Sequence, residues 1–211
     1  MEYIRDPDAI YRRSFEIIGE ELVLTSLPAS LRGTATRMVH SCGMTDLVAD
    51  LRFSDDFADR AMTALRSGAP IIVDSEMTGA GIIKKLLPAE NGIVCKLNDP
   101  DARTEMKNLG TTRSAAGMAL AEHLFDGAII VIGNAPTALF QLLEMLDRGA
   151  PKPAAIIGLP VGFVGAIESK DELNNNSRGV PFLTLLGRRG GSALAAAALN
   201  ALSIDTSESG S

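Results

Sequence analysis

The chain has 211 residues, 46% of them hydrophobic and 22% charged, and carries a formal net charge of −6. That length supports one sizeable core, so a single domain over residues 1–203 is expected, followed by a disordered tail at 204–211 rich in Ser and Gly. The acidic balance, the lack of Trp and the absence of a basic stripe exclude nucleic acid as the main partner, and no apolar run is long enough to span a membrane. The first residues, MEYIRDPD, are too acidic and polar for a signal peptide, so a cytoplasmic protein is expected. Cys42 and Cys95 stand apart with no CxxC and no His at ligand spacing, which argues for reduced thiols and against a metal centre.

The first third reads as helical. Asp6-Pro7 supplies a cap and a first-turn proline, and Ile10, Ile17, Ile18 and Leu22 recur at helical spacing. Ser26 and Pro28 open a second helix that runs to about Cys42 and stops at Gly43. Ser54 is placed to cap a third, with Phe57, Ala61, Met62 and Leu65 on one face and Gly68 after its end. From Pro70 short apolar runs take over: 71–73, 93–95, 128–132, 154–157 and 182–186. Each is apolar but for Thr184 in the last, as strands buried on both faces are. Helical segments lie between or after them at 80–87, 112–125, 137–147, 165–173 and 192–202. The alternation predicts an open, doubly wound α/β fold, with a mainly parallel sheet of about five strands behind an N-terminal helical segment.

Ligands of such sheets bind beyond the carboxyl ends of the strands. Those ends read Asp74-Ser75-Glu76-Met77-Thr78-Gly79, Lys96 to Asp99, Gly133 to Thr137, Gly158 to Gly162 and Gly187 to Ser192. Glycine allows close backbone approach, and a following helix aims free N–H groups at a ligand. One edge is thus expected to carry several anion-ready turns, with Thr78, Asn134 and Gly162 as candidate ligand contacts, although plain connection chemistry also accounts for each turn. Gly79 and Gly81 lack the third glycine of a dinucleotide fingerprint, and neither a phosphate-binding GxxxxGK[ST] nor a G-x-S-x-G elbow occurs.

Five side chains call for comment. His40 lies in the last turn of the second helix, three residues after Arg37 and so on the same face. The helix end favours an imidazolium there and Arg37 disfavours it, so a capping and a catalytic role both remain open. Ser14 falls on the apolar face of the first helix, bonded to its own helix carbonyl or aimed at a ligand. Arg113 opens a helix against the dipole, which suggests a carboxylate ligand or a partner chain, with plain solvation as the alternative. His123 sits at the opposite edge from the turns and reads as structural.

Six strings resemble the precorrin-8X methylmutase family: RMVHSCG at 37–43, KLNDP at 96–100, TRSAA at 112–116, IGNAPTALF at 132–140, GLPVGFVGAIESK at 158–170 and GRRGGSALAAAALN at 187–200. The resemblance runs from about Tyr3 to Leu202. It implies an open α/β fold, a homodimer with sites at the interface, and a cofactor-free isomerisation of the tetrapyrrole precorrin-8X to hydrogenobyrinic acid by a 1,5-sigmatropic methyl shift from ring carbon 11 to carbon 12. It further implies that His40 is catalytic, that Ser14 and Arg37 bind substrate, and that Arg113 is supplied across the dimer. One general acid held against the macrocycle suffices for such a reaction. A nucleotide-binding α/β enzyme and a non-catalytic tetrapyrrole carrier are the competing readings.

Overall fold

The structure, a computed structural model, describes residues 1–22 and 24–208. Two helices come first, α1 (Pro7–Glu21) and α2 (Ala29–Cys42). The Asp6 carboxylate caps α1 by accepting from the Asp8 and Ala9 amides at 2.9 and 3.3 Å. Gly43 ends α2 in the left-handed region at φ 69°, its N–H donating to the Val39 carbonyl. The rest follows as β1 (Leu51–Phe53), α3 (Phe57–Arg66), β2 (Ile71–Val73), α4 (Glu76–Gly81), β3 (Ile93–Cys95), α5 (Ala102–Leu109), α6 (Arg113–Leu120), β4 (Ile129–Ile132), α7 (Pro136–Asp147), β5 (Ala155–Gly158), α8 (Ala166–Asn175), β6 (Phe182–Leu185) and α9 (Ser192–Glu208).

The strands form one sheet in the order β1-β6-β5-β4-β2-β3, parallel throughout except that β1 runs against β6. Successive strand residues face opposite layers. Ile129, Val131, Ile157 and Leu183 look toward α2, α3 and α9. Ile130, Ile132, Ile156 and Phe182 look toward α6, α7 and α8. Burial on both faces is why β2, β4 and β5 are apolar along their length and β6 is apolar but for Thr184, whose hydroxyl donates to the Gly158 carbonyl at 2.6 Å, while β3 at the sheet edge is half-buried.

Differences from the sequence reading have local causes. The sheet has a sixth strand, β1, whose Leu-Arg-Phe is too short and too polar at its centre to register as an apolar run. Ser54 does not cap α3: its hydroxyl accepts from the Phe182 amide at 3.1 Å and so ties the start of α3 to β6 instead. The helix expected at 80–87 is α4, starting earlier at Glu76 under the Ser75 cap, followed by a 3₁₀ turn at Lys84–Leu86. The helix expected at 112–125 closes at Leu120 and gives way to a 3₁₀ turn at Glu122–Leu124. The last helix continues to Glu208, into the segment read as a tail, while 209–211 lie outside the described residues.

The frame is tied by a buried carboxylate. Asp74, just past β2 and 3% exposed, accepts from the amides of Gly133, Asn134 and Ala135 at 3.0, 2.9 and 2.7 Å. The Thr78 hydroxyl donates to it at 3.2 Å, and the Ser192 hydroxyl at the start of α9 lies 2.9 Å from that of Thr78. Burial pushes the Asp74 carboxyl up from its ordinary range, and these hydrogen bonds pull against that. Gly133 lets α9 sit this close: a Cβ there would lie 2.7 Å from the Ser192 Cα.

A second buried charge-bearing group is Lys170 of α8, whose Nζ donates to the Arg189 carbonyl at 2.6 Å. Burial pulls its amine down from 10.5 to about 8. Between those values the unfolded chain binds more protons than the folded one, so this group makes stability rise with pH from about 8 to 10.5. Denaturant titrations of wild type and Lys170→Met at pH 8 and pH 10 should therefore show the difference moving in favour of wild type at the higher pH; a constant difference counts against the buried-amine account.

Candidate functional site

The site is built where α1 crosses the end of α2. Tyr11, Ser14 and Phe15 share one face of α1, and that face meets His40 in the last turn of α2. The Ser14 Oγ lies 3.0 Å from His40 Nδ1. An imidazolium donates to that oxygen from Nδ1 and keeps its Nε2–H for another acceptor. The His40 ring stands 5.1 Å from the Phe15 ring, tilted by 35°, and 5.7 Å from Tyr11 in an edge-on arrangement. Arg37, one turn earlier, places its guanidinium carbon 5.6 Å from the Phe15 centroid. The Ser14 hydroxyl is thus directed at His40 rather than at its own helix carbonyl.

His40 lines two cavities. One, of about 320 Å³, is bounded by Arg37, His40 and Ser41 of α2, by Gly81, Ile83 and Leu86, and by Ala193, Ala196, Ala197 and Asn200 of α9. The other, of about 210 Å³, lies toward Ser14, Ile17, Glu21, Val39 and Thr45. The larger has apolar walls with the cationic and hydrogen-bonding groups at one side, the usual composition of a small-molecule site. Asn200 fixes its far wall. Its Oδ1 accepts from the Ile83 amide at 2.9 Å and its Nδ2 donates to the Gly81 carbonyl at 3.0 Å. Gly81 is needed there, since a Cβ would lie 2.7 Å from that of Ala196.

One of the strand-end turns, the one after β4, differs from the expectation that it stands ready for an anion. The three consecutive N–H groups after β4 are taken by Asp74, so a nucleotide phosphate finds none of them free. Thr78 has no exposed surface and works inside the Asp74 cluster. Asn134 is exposed, and the Gly162 N–H donates to the Arg188 carbonyl at 3.3 Å. Arg113 is exposed at the first position of α6, behind the Thr112 cap. Neither His40 cavity includes Thr78, Arg113, Asn134 or Gly162. His123 sits exposed in the 3₁₀ turn before β4. A larger hollow of about 420 Å³, lined by residues such as Arg60, Asp126 and Lys152, has no histidine in its wall.

The residues that the sequence reading missed are Tyr11, Phe15 and Asn200. The signal for the first two was an aromatic pair four apart on the face of Ser14; for the third it was a lone amide in an alanine-rich helix.

Residues 9–204 match the family described as precorrin-8X methylmutase. A precorrin-8X methylmutase of Pseudomonas aeruginosa is 52% identical over 205 residues, covering 97% of this chain and 99% of its own. A cobalt-precorrin-8 methylmutase of Priestia megaterium is 40% identical, covering 94% of this chain and 88% of its own. The crystal structure of a precorrin-8X methylmutase from Thermus thermophilus superposes with a TM-score of 0.86 at 35% identity, covering 96% of this chain and 98% of that one.

Asn200 gives a direct check on the cavity wall. Asn200→Leu leaves the Ile83 amide and the Gly81 carbonyl without their partner, and stability should fall by about 1–3 kcal/mol. Amide exchange at Ile83 should quicken in the same variant, and exchange at the wild-type rate would show that the wall is held by something else.

Proposed function

The chain belongs to the precorrin-8X methylmutase family and is an isomerase of cobalamin biosynthesis; we propose that it converts precorrin-8X to hydrogenobyrinic acid with His40 as the general acid. In this reading the bond from the methyl group to ring carbon 11 breaks as the bond to carbon 12 forms, so the methyl and its electrons stay within one molecule. The protein's tasks are to hold the ring and to lend a proton or a strong hydrogen bond to it as the methyl moves. The observation that carries the reading is the Ser14–His40 contact at the wall shared by two cavities. Arg37, lining the larger of them, is suited to a substrate carboxylate.

A homodimer is part of the proposal. Cavities of about 320 and 210 Å³ are small for a macrocycle bearing several carboxylates, since sites of roughly 300–1,000 Å³ hold ordinary small ligands. Arg113, exposed and outside both cavities, is available to complete the site of a second copy. Asn134 and Gly162 are proposed to meet the ring's rim, and Thr78 to act by holding the turn beneath it. No helix among the described residues is long and apolar enough to cross a membrane. We further propose a cytoplasmic setting, because a polycarboxylate substrate is soluble in water.

Two measurements test this. His40→Ala should keep the fold and the binding of the ring while turnover drops by roughly a hundredfold or more, the scale of a lost general acid. His123→Ala should turn over near the wild-type rate. Undiminished turnover by His40→Ala would remove the acid role, and binding without any turnover in the wild type would favour the carrier reading. Separately, mixing Arg113→Ala chains with His40→Ala chains should restore activity through heterodimers that hold one intact site. Mixtures that stay inactive would count against Arg113 acting across subunits.

A further inference from the structure

α1 buries one residue, Ile18, yet it brings two aromatic rings to one imidazole. Tyr11 and Phe15 are themselves in contact, with centroids 4.5 Å apart. Phe15 lies beside two groups able to carry the same charge: the guanidinium of Arg37 at 5.6 Å and the imidazole of His40 at 5.1 Å. A protonated His40 and Arg37 repel each other, one turn apart on α2. An aromatic face attracts both cations, so a ring that meets both offsets that repulsion. Ser14 meanwhile takes Nδ1 and leaves Nε2 as the nitrogen without a hydrogen bond among the described residues.

We propose that Tyr11 and Phe15 are positioning residues for His40, holding its ring in the one orientation that keeps Nδ1 on Ser14 and Nε2 directed at substrate. This rests on the reading of His40 as the acid. The rings touch the imidazole and act through it; they are not themselves catalytic. Their aromatic character matters as well as their bulk, because an aliphatic side chain of similar size fills the space but offers no π face.

The test uses Phe15→Leu, Tyr11→Leu and Tyr11→Phe in the full chain, each also combined with His40→Ala. Turnover is followed by the visible spectrum of precorrin-8X, and ring affinity by titration with hydrogenobyrinic acid. Imidazole ¹⁵N spectra report the His40 protonation pattern, and they are simple because the chain has only two histidines. Phe15→Leu should lower kcat by about tenfold while KM and ring affinity stay within about twofold, since orientation and not binding is lost. The His40 ¹⁵N signals should shift in the same variant. Tyr11→Leu should act likewise, and Tyr11→Phe should restore the wild-type rate and spectrum. In the His40→Ala background the ring substitutions should change little more, because the residue they serve is gone.

Wild-type turnover together with unmoved His40 signals in Phe15→Leu would overturn the proposal. So would a loss that repeats in full on top of His40→Ala, because the rings would then act on the ligand or the fold. If His40→Ala alone turns over normally, the acid reading fails first and the positioning role falls with it. A failed acid reading is thus told apart from a failed positioning role by the His40→Ala control.

Discussion

A buried carboxylate, Asp74, holds this protein's frame together. Taking a charged carboxylate out of water costs on the order of several kcal/mol unless hydrogen-bond donors replace the lost hydration. Asp74 finds them in three consecutive amides after β4 and in the hydroxyl of Thr78. The strand order reverses between β2 and β4, and there the chain would otherwise open a crevice. The carboxylate closes that crevice and, through Thr78 and Ser192, fixes where α9 begins. From α9 the constraint passes to the cavity, through the alanines that line it and through Asn200, which holds the loop after α4. The wall facing His40 therefore depends on an interaction beyond the carboxyl ends of β2 and β4.

This arrangement divides the work in an uncommon way for a doubly wound sheet. The usual expectation puts the chemistry in the turns beyond the strand ends. In this chain the turn after β4 is engaged in holding the frame, and the residues proposed for the chemistry come from two helices that precede the sheet. Arg37 and His40 belong to α2, and Ser14 belongs to α1. α9 supplies the apolar wall opposite them. The sheet serves as the scaffold on which α2 and α9 are set against each other.

The legible parts of the sequence were those set by local rules. Short, mostly apolar runs made β2 to β6 visible, and Asp6-Pro7 and Gly43 marked helix ends correctly. β1 was hidden because an edge strand of three residues with a central arginine carries no periodicity worth reading. α5 was hidden because Ala102 is the one residue it buries. Arg37 and His40 were read on one face of α2 and Ser14 as a separate candidate, but the meeting of Ser14 with His40 was not legible, since they are 26 residues apart. The engagement of the turn after β4 was hidden for a related reason. A run of small residues with free amides looks the same in sequence whether a ligand or a carboxylate 59 residues away will claim it.

The lightness of α1's attachment has a consequence for how long the protein stays useful. Ile18 is its one buried residue, so α1 can lift from α2 at a free-energy cost well below that of global unfolding. With it go Ser14 and both rings around His40, while the sheet and its Asp74 closure remain intact. Under the acid role proposed for His40, turnover on warming falls with the fraying of this one helix, ahead of the melting of the core.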